Sequence, residues 1–364
     1  MKDKNFITEI ERLCASHFGQ EYPGELINHA HEVEKCHRCG AIPEKIRYAF
    51  FKITMRCNSD CAYCEHAYSR NQGKLTERSI EEILPVLDGL EKMGVKACSV
   101  SGGEPLIYKD IEAVIGGMVA RKIEPILLTN GILLPKKLES VYKAGQRYII
   151  MSIDSFDREH YKKNRGIDFE SVMKSYDYVL RFRETHPDLV FNVTAVLSEN
   201  NQKDVIELIE KCTKDGVNVQ LTPYHNFING ENSLSVTDAC ETERVIRRIL
   251  EMKDEGYLIL NSREYLEYFS DFFRTGKRIP RGQYQCLCGY EAVYIWPNLT
   301  VRSCWSTSLP TVGDLKEKSL PDIWMSESYS EQRRAMAECR CEGCWLLCTA
   351  EFNITRKENL LEKR

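Results

Sequence analysis

Long apolar runs are what this sequence most plainly lacks. No stretch approaches the ~20 apolar residues that a membrane-spanning helix needs, so an integral membrane role is set aside. The opening residues, MKDKNFITEIERLCASHFGQ, carry charges throughout and have no apolar core of the kind a secretory signal requires; a cytoplasmic protein is expected. One-signed charge is also missing, with 50 Lys and Arg against 54 Asp and Glu and a formal net charge of -4. Without a basic field nothing selects a phosphate backbone, and no nucleic-acid partner is expected. What remains is a chain of 364 residues, 43% of them apolar, with length for two or three domains and enough apolar content for a full core.

Cysteine, by contrast, is abundant. Sixteen are present, and in a reducing cytoplasm that density argues for metal ligation rather than a disulfide framework. They crowd into the N-terminal third and the C-terminal end, with Cys98, Cys212 and Cys240 between. These three read as buried small hydrophobes. Cys36 and Cys39, in CHRC, could form half of a metal knuckle, but no second pair adjoins them.

From about Tyr48 to His225, short runs rich in β-branched residues alternate with amphipathic segments of helical length, the pattern of repeated βα units around parallel strands. Six strands are predicted: YAFFKITM, ACSVSGG, PILLTNG, YIIMSID, LVFNVTAVL and VNVQLTPYH. The first intervening helix is expected to open at a capping Thr76 and to stop at Gly94. The fold class is therefore α/β, a partial (β/α)6 barrel, with a small Cys-rich α+β region after it. The expected boundaries are an extension at 1–46, the barrel at 47–230, bridging helices at 231–285, the Cys-rich region at 286–350 and a tail at 351–364. Such barrels place chemistry in the loops after the strands. CNSDCAYC follows the first strand and SGGEP closes the second.

Cys57, Cys61 and Cys64 are spaced C-x3-C-x2-C. Three thiolates on one loop can hold three irons of a cubane cluster and leave the fourth open, whereas an electron-transfer cluster usually takes four. Structural zinc favours two C-x2-C pairs and closed coordination, which this loop alone cannot supply.

This spacing, with Tyr63 before Cys64, resembles the signature loop of the radical S-adenosylmethionine (SAM) superfamily. The resemblance implies a 4Fe-4S cluster whose open iron is chelated by SAM, and reductive cleavage to a 5′-deoxyadenosyl radical that abstracts a hydrogen from substrate. Gly102, Gly103 and Glu104 look like the family's GGE motif, with the glycines against the methionine moiety and the acidic end toward its ammonium. Ser152 and Asp154 resemble ribose contacts, and Arg165 resembles a carboxylate-binding arginine. Asn192, Thr194 and Val196 share a strand face that could border the adenosine.

From Cys286 onward, CLCGYEAVYIWPNLTVRSCW and ECRCEGCWLLC place seven cysteines in a short span. The span resembles the twitch or SPASM extension of radical SAM enzymes, which binds auxiliary clusters. At least one auxiliary 4Fe-4S cluster is implied, drawing on Cys288 and Cys304 and on two or more of Cys341, Cys344 and Cys348; a zinc ribbon is the alternative. Leu299 stands where the family pattern has glycine, so the hairpin there is expected to turn differently. Trp345 is read as a packing residue over the cluster.

Tyr224 and His225 follow the sixth strand and would face the barrel mouth as substrate contacts or a proton acceptor, with a satisfied structural histidine as the equal alternative. The expected partners are a small-molecule or peptide substrate and a flavodoxin- or ferredoxin-type electron donor. The favoured reading is oxidation or rearrangement of a small metabolite. A peptide maturase is the runner-up, and a non-catalytic iron–sulfur electron carrier or scaffold is the rival from another class.

Overall fold

The computed structural model describes residues 6–18, 23–64, 77–225, 238–275, 286–305, 309–338, 340–341, 344–347 and 349–354. Helix α1 (Phe6–Phe18) and α2 (Pro23–Cys39) precede strand β1 (Tyr48–Thr54). There follow α3 (Ile80–Lys92), β2 (Ala97–Gly102), α4 (Ile111–Ala120), β3 (Glu124–Thr129), α5 (Leu134–Lys143) and β4 (Tyr148–Ser152). Next come α6 (Arg158–Arg165), α7 (Phe169–Thr185), β5 (Val190–Leu197), α8 (Asp204–Lys214) and β6 (Asn218–Pro223). All six predicted strands form, each pairing in parallel with the next.

The strands read as nearly unbroken apolar runs because both faces are covered, as parallel sheets require. Ala49, Phe51, Cys98, Val100, Leu127, Ile149, Met151, Val193, Val219 and Leu221 pack outward with helix residues such as Leu87, Ile115, Leu138, Val179 and Leu208. Tyr48, Phe50, Ala97, Ile126, Tyr148 and Ile150 pack together on the inner face. Period-2 alternation therefore puts Lys52, Ser101, Ser152, Thr194, Gln220 and Thr222 on that inner face.

Helix α3 begins at Ile80, with Ser79 and Glu82 forming a reciprocal capping box. The N-terminus thus lies three residues beyond the predicted cap, Thr76, which is outside the described residues. Gly94, at φ +80, ends the helix as expected. Helix α1 lies across the N-terminal ends of the strands. The buried Glu9 accepts hydrogen bonds from Tyr148 Oη on β4, Asn192 Nδ2 on β5 and, at 3.0 Å, Asn218 Nδ2 on β6.

After β6, α9 (Ala239–Asp254) and α10 (Arg263–Thr275) pack on each other. Beyond the short α11 (Cys288–Glu291), β7 (Ala292–Ile295) pairs in parallel with β1. It carries the sheet onward to β8 (Thr300–Arg302) and β9 (Gly313–Asp314), both antiparallel. The nine-stranded order is β6-β5-β4-β3-β2-β1-β7-β8-β9, an open partial barrel continued by the hairpin of the Cys-rich region. In that hairpin Leu299 adopts φ +68, the left-handed conformation a glycine would take. The turn is kept, and Leu299 offsets its backbone strain by burying its side chain in the core. Helices α12 (Leu320–Trp324) and α13 (Glu327–Ala337) complete the region. Buried Arg333 donates to Gly289 O and Trp324 O and lies 4.1 Å from the rings of both Trp324 and Tyr329.

Candidate functional site: two thiol clusters joined through a barrel

The loop carrying Cys57, Cys61 and Cys64 is fastened on two sides. From the β2 side, Gly103 N donates to Thr54 O and Glu104 N to Arg56 O, both at 2.8 Å. A Cβ on Gly102 would lie 2.1 Å from Thr54 O, and one on Gly103 2.2 Å from Arg56 O. Only glycine permits that approach. These glycines bind the stem of the cysteine loop, a role the motif did not disclose by itself. From the other side, Ser59 Oγ and Asp60 N donate to Arg165 O, and Ala62 N to Asn164 O.

Glu104 is turned into the protein. Its Oε1 accepts from Thr129 Oγ1 and Leu106 N and its Oε2 from Asn130 N, at 2.8, 3.1 and 2.7 Å. Burial raises its pKa to about 7, against the opposing pull of those donors. Glu104 thereby ties the end of β2 to the end of β3, while Asn130 Nδ2 reaches Cys57 Sγ at 4.0 Å.

Asp154 and Arg165 are each other's partners in a buried bidentate pair, Nε to Oδ2 and Nη2 to Oδ1 at 2.7 Å. Asp154 also accepts from Tyr63 Oη and from Val196 N. The residues read as ribose and carboxylate contacts are thus joined to the cysteine loop through its own aromatic residue. Burial and the neighbouring Asp154 carboxylate push the Tyr63 hydroxyl well up, with Arg165 opposing. Ser152 is half-buried on the inner face, and its carbonyl accepts from Tyr161 Oη.

His225 does not face the mouth as a proton acceptor. It is buried, its Nε2 accepts from Trp345 N at 3.0 Å, and a bond to the Pro223 carbonyl occupies the other nitrogen. Burial lowers its pKa to about 3, so it is a neutral clamp between β6 and the Cys-rich tail. Trp345 stacks on Tyr265 and leans on Tyr268, and its indole donates to Tyr265 O, so it packs against α10. Tyr224 is buried edge-on to Tyr63, with ring centroids 6.5 Å apart.

In the Cys-rich region Cys286, Cys288 and Cys304 share one buried cluster, and Cys341 and Cys344 of the tail are half-buried. Burial, with the charges of Cys344, Cys304 and Cys341, pushes the Cys286 thiol well above its ordinary range, and the Cys288 N–H points back at it. Cys288 lies one helical step away, its Sγ 3.1 Å from Tyr294 Oη. Cys286, which the sequence reading did not name as a ligand, thus joins Cys288 and Cys304 in one buried cluster. Cys348 and Cys339 lie outside the described residues. Cys98 and Cys212 are buried as expected, whereas Cys240 is exposed.

The donor chemistry of both thiol sets suits iron–sulfur clusters; among the described residues no three metal-ligating side chains converge closely enough to hold a single metal ion. Cys57, Cys61 and Cys64 are half-buried, and none of the described cysteines is in a disulfide. Ser59 Oγ lies 3.1 Å from Cys61 Sγ, the kind of polar contact that tunes cluster sulfur. The second set, Cys286, Cys288 and Cys304 with Cys341 and Cys344 from the tail, draws thiols from three chain segments, the first three in an apolar setting that would disfavour thiolates without a cation.

The comparisons agree with this chemistry. Residues 51–212 match the family model of the radical SAM superfamily, and residues 286–345 match the iron–sulfur cluster-binding domain model called SPASM. A probable GTP 3′,8-cyclase of Methanococcus vannielii is 31% identical over 181 residues, 50% of this chain and 59% of that protein. A GTP 3′,8-cyclase of Clostridium perfringens is 27% identical over 218 residues, 58% and 65% respectively. The chain thus spans about three-fifths of the length of these curated relatives. Among solved structures, Streptococcus suis SuiB bound to S-adenosylmethionine superposes with TM-score 0.66 at 18% identity, covering 86% of this chain and 76% of that one. Native anSMEcpe with bound AdoMet and a peptide gives TM-score 0.60 at 15% identity, covering 86% and 95%. These likenesses show the partial-barrel fold. No helix among the described residues is long and apolar enough to cross a membrane. With both domain models matched where the two thiol sets lie, the chain belongs to the radical SAM superfamily and carries a C-terminal auxiliary iron–sulfur domain of the SPASM type.

Proposed function

We propose that the chain is an enzyme that uses a 4Fe-4S cluster on Cys57, Cys61 and Cys64, with SAM, to abstract a hydrogen from a small polar metabolite and so oxidise or rearrange it. The observation that carries this is a loop with three thiols, no fourth, placed at the C-terminal end of β1 and fastened to β2 through Gly102 and Gly103. When bound, the cluster and SAM supply one-electron chemistry and a primary carbon radical. The chain's own groups do the rest. Asp154, Tyr63 and Arg165 hold the loop, Glu104 fixes Asn130 beside Cys57, and the inner strand faces exclude water from the reacting centre.

Cys286, Cys304, Cys341 and Cys344 are proposed to hold one auxiliary cluster, and four thiolates leave no iron open for substrate. Electron relay or support of the domain then remain as its roles. A flavodoxin- or ferredoxin-type donor would supply the initiating electron.

A peptide substrate is the second reading, favoured by one observation: SuiB, with TM-score 0.66, has been solved bound to its precursor peptide. The small-molecule reading draws on the relatives named GTP 3′,8-cyclase and on the buried polar groups inside the barrel. Anaerobic reconstitution with dithionite and SAM tests the reaction. 5′-Deoxyadenosine should form, and its absence with intact clusters would sink the proposal. Deuterium transfer from a labelled substrate would then separate metabolite from peptide.

A further inference from the structure

Ser59 lies inside CNSDCAYC and is buried, 3% exposed. Its Oγ is 2.8 Å from Arg165 O and 3.1 Å from Cys61 Sγ, and Cys61 Sγ is itself 3.8 Å from Arg165 O. The three atoms form a triangle that holds one hydroxyl proton and one thiol proton. A carbonyl only accepts, so Arg165 O draws both. It also receives Asp60 N at 3.2 Å and therefore keeps a donor whichever way the Ser59 hydroxyl turns. Arg165 is the last residue of α6, and its carbonyl belongs to the negative end of that helix. An ionised sulfur beside it is disfavoured unless a donor stands between the two. Ligation to a metal centre takes the proton off a cysteine. Cys61 then no longer donates, and the one proton left in the triangle, on Ser59 Oγ, has two acceptors. The charged sulfur makes the stronger bond, while Asp60 N still serves the carbonyl.

We propose that Ser59 is a positioning residue for the initiating electron: once Cys61 is a thiolate on iron, the Ser59 hydroxyl leaves Arg165 O for the Cys61 sulfur and raises the reduction potential of the loop cluster. A donor to cluster sulfur favours the reduced, more negative state. One electron enters from the flavodoxin- or ferredoxin-type donor, and the hydroxyl proton stays on Oγ throughout. This rests on the cluster assigned above to Cys57, Cys61 and Cys64 and adds to it the residue that sets how readily that cluster is reduced.

The test uses the full chain, loaded anaerobically with its clusters and without SAM, and follows electron paramagnetic resonance through a redox titration. The loop cluster's signal is the one missing when Cys57, Cys61 and Cys64 are all replaced by Ala; the auxiliary cluster's signal is the internal reference. In Ser59→Ala the ratio of reduced to oxidised loop cluster at a fixed potential should fall roughly threefold to tenfold. That is a midpoint lower by about 30–60 mV, at about 59 mV per tenfold for one electron, with the reference unmoved. Ser59→Thr, which keeps a hydroxyl, should restore the midpoint. The reduced wild-type loop cluster should also couple strongly to an exchangeable proton that D2O removes, that Ser59→Thr retains and that Ser59→Ala lacks. The same loop-cluster midpoint in wild type and Ser59→Ala would overturn the proposal and leave Ser59 a fastener of the loop, as would an equal shift of both clusters. Should Ser59→Ala fail to hold its cluster, the wild-type proton coupling decides, and its absence overturns the proposal. No loop-cluster signal in the wild type would defeat the proposal together with the cluster assignment beneath it. Absence of 5′-deoxyadenosine beside an intact loop-cluster signal would defeat the reaction instead, and the midpoints would still judge Ser59.

Discussion

Replacing Glu104 by Gln removes a titration that the fold has moved into the working pH range. Buried and holding three donors from β3 and the turn after β2, the carboxyl has its pKa raised from 4.5 to about 7. In the unfolded chain it ionises near its ordinary value, so between the two the folded protein binds more protons than the unfolded. Stability from this group is then fully present below about 4.5 and is lost as pH rises through about 7. The full swing is about 3 kcal/mol, of which about 1 kcal/mol falls between pH 6 and pH 8. Glu104→Gln keeps the acceptor oxygen for Thr129 and Leu106 but turns an amide toward Asn130 N, so it is less stable at the outset. Urea unfolding of both proteins, anaerobic and with clusters loaded, should show the wild-type advantage shrinking by about 1 kcal/mol from pH 6 to pH 8. A difference that stays flat or grows with pH would refute the account of Glu104 as a desolvated carboxyl.

Asp154→Asn leaves the Arg165 charge buried without its counter-ion and should cost about 3–5 kcal/mol in urea unfolding, with the Asp154→Asn/Arg165→Met pair recovering part of it. In a background with Cys57, Cys61 and Cys64 replaced by Ala, about four irons should remain per chain. Adding Cys286→Ala should then lower that count and Cys288→Ala should not, as read by iron and sulfide analysis. Leu299→Gly relieves about 1–2 kcal/mol of left-handed strain but empties a buried site worth about 2–5 kcal/mol, so its unfolding free energy in urea should fall by a net of about 1–3 kcal/mol. His225→Phe deprives Trp345 N–H of its acceptor and should cost about 1–3 kcal/mol; proteolysis should then cut sooner near Trp345.

The six strands were legible because parallel strands covered on both faces must be apolar along their length, and the runs from YAFFKITM to VNVQLTPYH are. The thiol loop was legible because its spacing is itself the chemistry. That Cys286 would lie beside Cys288 and Cys304 was not, since spacing carries no rotation. His225 looked like a mouth residue by its place after β6; only the tail folding back 120 residues later gave its ring a backbone partner. Leu299 misled in the opposite direction, because a buried apolar side chain can offset a conformation that the sequence pattern reserves for glycine. The Asp154–Arg165 pairing joins the loop after β4 to the last residue of α6 and leaves no periodic trace.

The bond from Glu9 to Asn218 spans 209 residues. During synthesis the first helix emerges early and then has nothing to rest on until β6 is made, so its seating on the strand ends is a late event in folding. Until then the inner faces of the strands stand open at that end, with Tyr148, Asn192 and Asn218 in water. A segment made first thus becomes the last to close, and substitutions at Glu9 should show their effect chiefly in how fast the finished barrel comes apart.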